Sequence, residues 1–262
     1  MFRKRYYYFI KVQYLGYRLH GWQKQPALKT AEGLITKTLR WVMPEAKYKI
    51  LGTSRTDAMV SAGESAFELF LDHEPLDDLQ DFLNLFNKNL PQDIRALSIE
   101  QVDEKFNIIK HSKIKEYAYL FCFGEKYHPF CAPFMANFQE DLDIEIMKQG
   151  ARLFEGLHDF RNYCVRVSEK STFEREIIKA EIVENTLFTA NFFPKESFVF
   201  HVHGAGFLRH QVRLMMGSMV LLGRGELSLG DIDNSLREEN TQLQMDFIAP
   251  ASGLILNKTE FH

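Results

Sequence analysis

The chain has little cysteine. Cys122, Cys131 and Cys164 are odd in number and widely spaced in 262 residues, which excludes a disulfide framework and fits no zinc knuckle. Three buried free thiols are expected. Long apolar runs are also missing, so no segment is predicted to span a bilayer. No Gly/Ser-rich or Pro-rich linker and no low-complexity stretch interrupts the sequence. Charge of one sign is lacking too: 32 Lys and Arg face 35 Asp and Glu, a net of −3. That weighs against a protein that coats nucleic acid through its whole surface, though a local basic cleft can work on an acidic chain. The start, Met1-Phe2-Arg3-Lys4-Arg5, is basic but runs into tyrosines, not into the apolar segment of a signal peptide. A cytoplasmic protein is expected.

What is present is enough for a sizeable core: 45% of residues are hydrophobic, suiting one large domain or two closely packed ones. Residues 5–14 read as a strand with Tyr6, Tyr8, Ile10, Val12 and Tyr14 on one face. A glycine-punctuated loop, Leu15 to Pro26, follows it. Thr30 is a plausible N-cap for a helix to about Met43. Residues 64–72 read as a strand and 77–87 as a helix, stopped by Asn89-Leu90-Pro91. The second half predicts a strand at 116–123 and a helix at 143–155 ending at Gly156. Strands follow at 173–184 and 187–203. A long helix starts near Gly206, and a final strand covers 253–258. Strands and helices mix in both halves, so the expected class is α+β, with domains at 1–104 and 105–262.

One nine-residue stretch stands out, Ser54-Arg55-Thr56-Asp57-Ala58-Met59-Val60-Ser61-Ala62. It sets a carboxylate among small residues just before a strand. Tyr117 and Arg213 are its most plausible distant partners. Taken singly, each has a plainer explanation: Asp57 as a turn cap, Tyr117 as one more core aromatic, Arg213 as a solvated helix cation.

The surrounding words shift that balance. Ser-Arg-Thr-Asp-Ala-x-Val-x-Ala, then Lys115-Glu116-Tyr117-Ala118-Tyr119, then Phe207-Leu208-Arg209-His210-Gln211-Val212-Arg213 with Gly217, closely resemble the TruA family of pseudouridine synthases. Gly21-Trp22-Gln23-x-Gln25, Asn89-Leu90-Pro91-x-Asp93-Ile94, Gly156-x-His158-Asp159-Phe160 and Ala251-x-Gly253-Leu254 match in order. The resemblance implies two ferredoxin-like α+β domains that share a continuous, mostly antiparallel sheet with a basic cleft between them. It implies a homodimer that converts uridine to pseudouridine in the tRNA anticodon arm, typically at positions 38–40, with no cofactor and no metal.

The chemistry explains the residue types. The reaction breaks the N1–C1′ bond, turns the base and joins C5 to C1′. A carboxylate can act as nucleophile or stabilise charge at C1′, the role the resemblance gives Asp57. Arg213 matches the arginine that pairs with that aspartate and favours its ionised form. Extruding a stacked base costs a few kcal/mol, of which an aromatic platform recovers roughly 1–3 kcal/mol. Tyr117 matches the tyrosine that stacks on the target base. Arg55 matches the arginine that fills the vacated space. Arg3, Lys4, Arg5, Lys24 and Arg209 are candidate phosphate contacts, each equally readable as solvated surface. His201, His203 and His210 are read as structural or RNA-facing, and His158 with Asp159 as organising a turn.

The sequence departs from the family pattern beside Asp57. Ser54 and Met59 stand where glycines are usual and Ser61 where a histidine is. Glu64-Ser65 replaces Gly-Gln, and Ile109 replaces a cation. These changes leave room for an alternative, a weakly active or inactive relative that serves as an RNA-binding or chaperone-like protein.

Overall fold

A computed structural model describes residues 4–165, 172–237 and 245–261. The chain forms two compact units, Met1–Lys113 with Leu256–His262, and Ile114–Ile255. The sequence places the division at 104/105. Among the described residues no helix is long and apolar enough to cross a membrane.

The first unit runs β1 (Arg5–Tyr14), α1 (Ala31–Val42), β2 (Lys47–Gly52), β3 (Ser61–Asp72), α2 (Leu79–Asn89) and β4 (Ile94–Val102). β1 pairs antiparallel with β3 and β4, and β2 pairs antiparallel with β3. The order β4-β1-β3-β2 from a βαββαβ sequence is the ferredoxin-like arrangement. Tyr8, Ile10, Val12 and Tyr14 are buried, as the alternation of β1 predicts. Phe9, on the opposite face, is buried too, in a small cluster with Ala66, Ile108 and Phe261. α1 starts where Thr30 accepts the Gly33 N–H at 3.2 Å, and buries Ile35 and Leu39 one turn apart. α2 starts where Asp78 accepts the Asp81 N–H at 2.8 Å, and stacks Phe82 on Phe86.

The second unit carries β5 (Ser112–Phe123, its first two residues in the first unit), β6 (Ala136–Phe138), α3 (Ile144–Arg152), β7 (Gly156–Asp159), β8 (Glu174–Glu184), β9 (Phe198–Gly204), α4 (Gln211–Gly223) and α5 (Leu229–Ser235). Its sheet order is β5-β9-β8-β7, antiparallel, with β6 parallel to β5. Tyr119 and Phe121 are fully buried, and so are Ala118 and Leu120 on the other face of β5. α3 packs on α4 and β8. α4 is buried almost all round, with Met215, Met216, Met219 and Val220 inaccessible. β10 (Leu254–Phe261) gives its first two residues to this unit and the rest to the first. Both units are therefore α+β with mostly antiparallel strands.

Four sequence expectations are corrected here. α3 ends at Arg152, so Gly156, at φ +105°, begins β7 instead of capping the helix. Residues 187–197 are not strand; Asn185 bonds them into a turn through Phe188 O and the Leu187 and Phe188 N–H groups. α4 begins at Gln211 because His210 sits at φ +62°, which no right-handed helix accommodates. Cys122 and Cys131 are buried as expected, but Cys164 is half-exposed. Burial pushes all three thiols upward, Cys122 to about 12, away from reactive thiolate.

Glu68 is an unusual core residue. It is 1% exposed on β3, opposite Phe9 and Leu51. One oxygen accepts the Ile108 N–H at 3.3 Å, and the other has no partner among the described residues. Burial raises its pKa from the ordinary 4.5, with the Ile108 bond acting the other way. The folded state thus holds a proton that the unfolded chain releases. The stability this confers is present below about pH 4.5 and is lost as pH rises through the folded value. Glu68→Gln is expected to remove this slope, gaining about 1 kcal/mol or more over the parent at pH 8. Urea melts at pH 4.5 and pH 8 measure the difference; parallel pH profiles for the two proteins would refute it.

Candidate active site

Asp57 lies in the first unit, in the loop between β2 and β3. Backbone bonds to the earlier Leu15–Pro26 loop hold it. Trp22 N–H donates to Thr56 O at 3.1 Å, and Met59 N–H to Leu19 O at 2.9 Å. Gly21 has φ +83°, and a Cβ there would lie 2.5 Å from Thr56 O, so only glycine allows this approach. Tyr14 from β1 meets the Thr56 hydroxyl at 2.8 Å. Val60 N–H closes the turn on Asp57 O at 3.2 Å. Asp57 itself is half-exposed and Arg55 beside it is exposed. The loop therefore presents a carboxylate on a backbone fixed from both sides.

The departures from the family pattern now have physical readings. Met59 adopts φ +68°, the left-handed region a glycine would occupy without strain. For an L-residue that costs about 1–2 kcal/mol, partly offset by the roughly 0.5–1 kcal/mol of chain freedom that glycine loses on folding. Met59→Gly is accordingly expected to raise stability by about 0.5–1 kcal/mol, read as a higher melting temperature. A lower one would show that the Met59 side chain contributes more than its backbone costs. Ser61 is buried, and its hydroxyl accepts the Gly16 N–H at 2.9 Å, tying the two loops together. The sequence marked Ser61 only as a missing histidine; its pairing with a glycine 45 residues earlier was invisible without the fold. Ser54 buries a hydroxyl with no described partner. Glu64 is paired with Lys11 at 2.9 Å, so the negative charge it adds is compensated locally.

Tyr117 and Arg213 lie in the second unit. Tyr117, on β5, is 9% exposed, and Phe207 meets its ring edge-on at 5.0 Å between centroids. Arg213, on the first turn of α4, donates from Nε to Ala249 O at 2.8 Å and accepts the Ala249 N–H on its own carbonyl at 3.1 Å. That side-chain bond uses one of five guanidinium donors and fixes the plane of the group. The next carbonyl, Pro250 O, accepts from the Tyr119 hydroxyl at 2.7 Å. Burial holds the Tyr119 phenol far above its ordinary value, with the Arg213 charge pulling the other way, so it stays a donor. Residues 249–250 thus connect the arginine on α4 to the strand face that carries Tyr117 and Tyr119.

The other expected residues divide. Arg3 lies outside the described residues. Lys4 sits over the Tyr6 ring at 5.1 Å. Arg5 is committed to Asp72 through a 2.9 Å bond, which with the carboxylate's charge raises its pKa. Lys24 and Arg209 are exposed. His201 and His203 stand on β9 with ring centroids 6.1 Å apart. Burial, then Lys179 and His203, lower the pKa of His201, favouring a neutral ring. Among the described residues no cluster of His, Cys, Asp or Glu could hold a metal. His158 bonds Glu155 O at 2.8 Å, and Asp159 accepts three bonds from Arg161, so both organise a turn.

Residues 151–262 match a family model described as tRNA pseudouridine synthase. The chain is 30% identical over 252 residues to tRNA pseudouridine synthase A of Dictyoglomus thermophilum, covering 96% of this chain and 98% of the relative. It is also 30% identical over 258 residues to tRNA pseudouridine synthase A 2 of Bacillus cereus, covering 97% and 99%. With tRNA pseudouridine synthase A of Thermodesulfovibrio yellowstonii the identity is 29% over 257 residues. Coverage of this extent includes both units, the Asp57 loop, the Tyr117 strand and the Arg213 helix. The chain belongs to the TruA family of tRNA pseudouridine synthases.

Proposed function

We propose that this protein isomerises uridine to pseudouridine in the anticodon arm of tRNA, at positions 38–40, as a homodimer. The observation that carries this reading is the near full-length similarity to enzymes named tRNA pseudouridine synthase A. The Asp57 loop supports it, because its backbone is fixed from both sides while the carboxylate remains half-exposed.

In this reading Asp57 is the nucleophile. The bond from N1 to C1′ breaks, the base turns, C5 joins C1′, and the C5 proton leaves as N1 gains one, so the reaction is redox-neutral and needs no co-reactant. Arg213 takes the role of the charge partner that orients the carboxylate, as charge-assisted hydrogen bonds do. Tyr117 offers its ring to the extruded base, with Phe207 packed perpendicular to it. Arg55, exposed beside Asp57, occupies the space the base leaves. Mapping pseudouridine in tRNA from cells with and without the protein tests the assignment. Loss at anticodon-arm sites is expected in its absence, with return on re-expression of the wild type. An unchanged map would overturn it.

A further inference from the structure

We infer that the first unit carries a phosphate-backbone groove at the far end of β2, a second contact for the RNA substrate distant from the reacting base. The inference rests on the proposed RNA-modifying function and adds a site to it.

The groove encloses about 620 Å³ and is lined by Arg5, Arg40, Lys47, Lys49 and Tyr48, with Asp72 at its wall. Its charge follows from register. Lys47 and Lys49 alternate on β2 and so share a face. Lys47 stands opposite Asp72, which stands opposite Arg5, and Lys49 stands opposite Phe70. Arg40 joins the lining from the last turn of α1, the helix on which the Tyr48 hydroxyl donates to Thr36 O at 2.9 Å. The lining thus holds four cations and one carboxylate, and that carboxylate is bonded to Arg5. Arg40, Lys47 and Lys49 are exposed, and none forms a described ion pair. On a chain of net charge −3, such a concentration of uncompensated positive charge is local, and it fits a polyanion.

Next in sequence to Arg40, Trp41 is 76% exposed, more than any other large apolar side chain among those described. An exposed indole beside cations suits a nucleic acid, whose bases stack while its phosphates pair. Position sets the groove's role. Five residues of extended strand, about 17 Å at some 3.3–3.4 Å each, separate Lys47 from Gly52. Asp57 lies beyond that, so the groove contacts phosphates that the target nucleotide does not carry. It contributes to binding and substrate choice, not to the chemical step.

The test combines Arg40→Ala, Lys47→Ala and Lys49→Ala. Binding of bulk tRNA is measured by anisotropy between 50 and 200 mM salt, beside steady-state pseudouridine formation. Each lost phosphate contact lowers the slope of log affinity against log salt by about 0.7–0.9, so the slope should fall by about 2–3. Affinity at low salt should drop at least about tenfold, KM should rise, and kcat should hold. Lys47→Arg with Lys49→Arg keeps the charge and should bind as the wild type does; weak binding there would overturn the electrostatic assignment even if the triple variant folds poorly. Unchanged affinity and slope in a folded triple variant would also overturn it. If the wild type makes no pseudouridine yet binds tRNA through these residues, the groove stands and the reaction does not. If it makes pseudouridine and the triple variant binds normally, the reverse holds.

Discussion

Replacing Asp57 by alanine is expected to lower pseudouridine formation by more than about 10³-fold, equivalent to at least ~4 kcal/mol of transition-state stabilisation. Loss of a covalent nucleophile leaves only binding and orientation to assist the reaction. The fold should tolerate the change, because the loop is held through Thr56 O, Asp57 O, the Met59 N–H and the Thr56 hydroxyl. Those groups survive the substitution. Asp57→Asn, which keeps the size but replaces one acceptor oxygen by an NH2 donor and removes the negative charge, should lose as much. Release of the C5 hydrogen from labelled tRNA measures the rate, and thermal melting reports on the fold. A folded Asp57→Ala protein within tenfold of wild-type activity would remove Asp57 from the chemistry.

The second large effect concerns stability. Gly217→Ala is expected to destabilise the second unit by about 3 kcal/mol or more, the upper range of overpacking, and to leave much of the protein insoluble. A Cβ at Gly217 would lie 1.7 Å from Phe247 O. That contact is backbone, so no flexible side chain can move aside. The segment through Phe247 must shift away from α4, and two residues later Ala249 makes both of its bonds with Arg213. The guanidinium would therefore lose its anchor, so any soluble fraction should also be slow. Gly206→Ala is the control, since a Cβ there meets nothing within 4 Å. A Gly217→Ala protein that melts with the wild type would show that residues 245–250 dock less tightly than the geometry requires.

Local signals made much of the fold legible. The alternation from Tyr6 to Tyr14 gave β1, and Thr30 marked the start of α1. Where backbone geometry overrode the pattern, the reading failed. His210 in the left-handed region delays α4 by a turn and puts Phe207, Arg209 and His210 in a loop. β2 went unrecognised because Lys-Tyr-Lys-Ile-Leu-Gly alternates charge with apolar residues over only six positions, and no flanking cluster marks its start. β4 shares the difficulty, with Arg95, Glu100 and Gln101 exposed along it. Missing β2 hid the Lys47 groove as well, since the lysines share a face only when the strand is known. At the candidate site the residue types were legible through their motif words. Their supports were not: Ser61 on Gly16, Thr56 on Tyr14 and Arg213 on Ala249 are all pairings between residues distant in sequence.

The assignment of β10 has a bearing on how this protein comes into being. Residues Leu256–His262 belong to the unit otherwise built from Met1–Lys113, with all of Ile114–Ile255 intervening. Phe261 packs on Phe9 at 4.7 Å between ring centroids. The unit that holds Asp57 cannot finish folding on the ribosome as soon as Met1–Lys113 emerges; it waits for Ile114–Ile255 and β10 to be translated. Closing so long a chain segment is slow and entropically costly. During that wait Phe9 lacks its Phe261 contact, although Ala66, Phe106 and Ile108 can already pack around it. A nascent chain released just before β10 would be defective first in the opposite end of its own sequence.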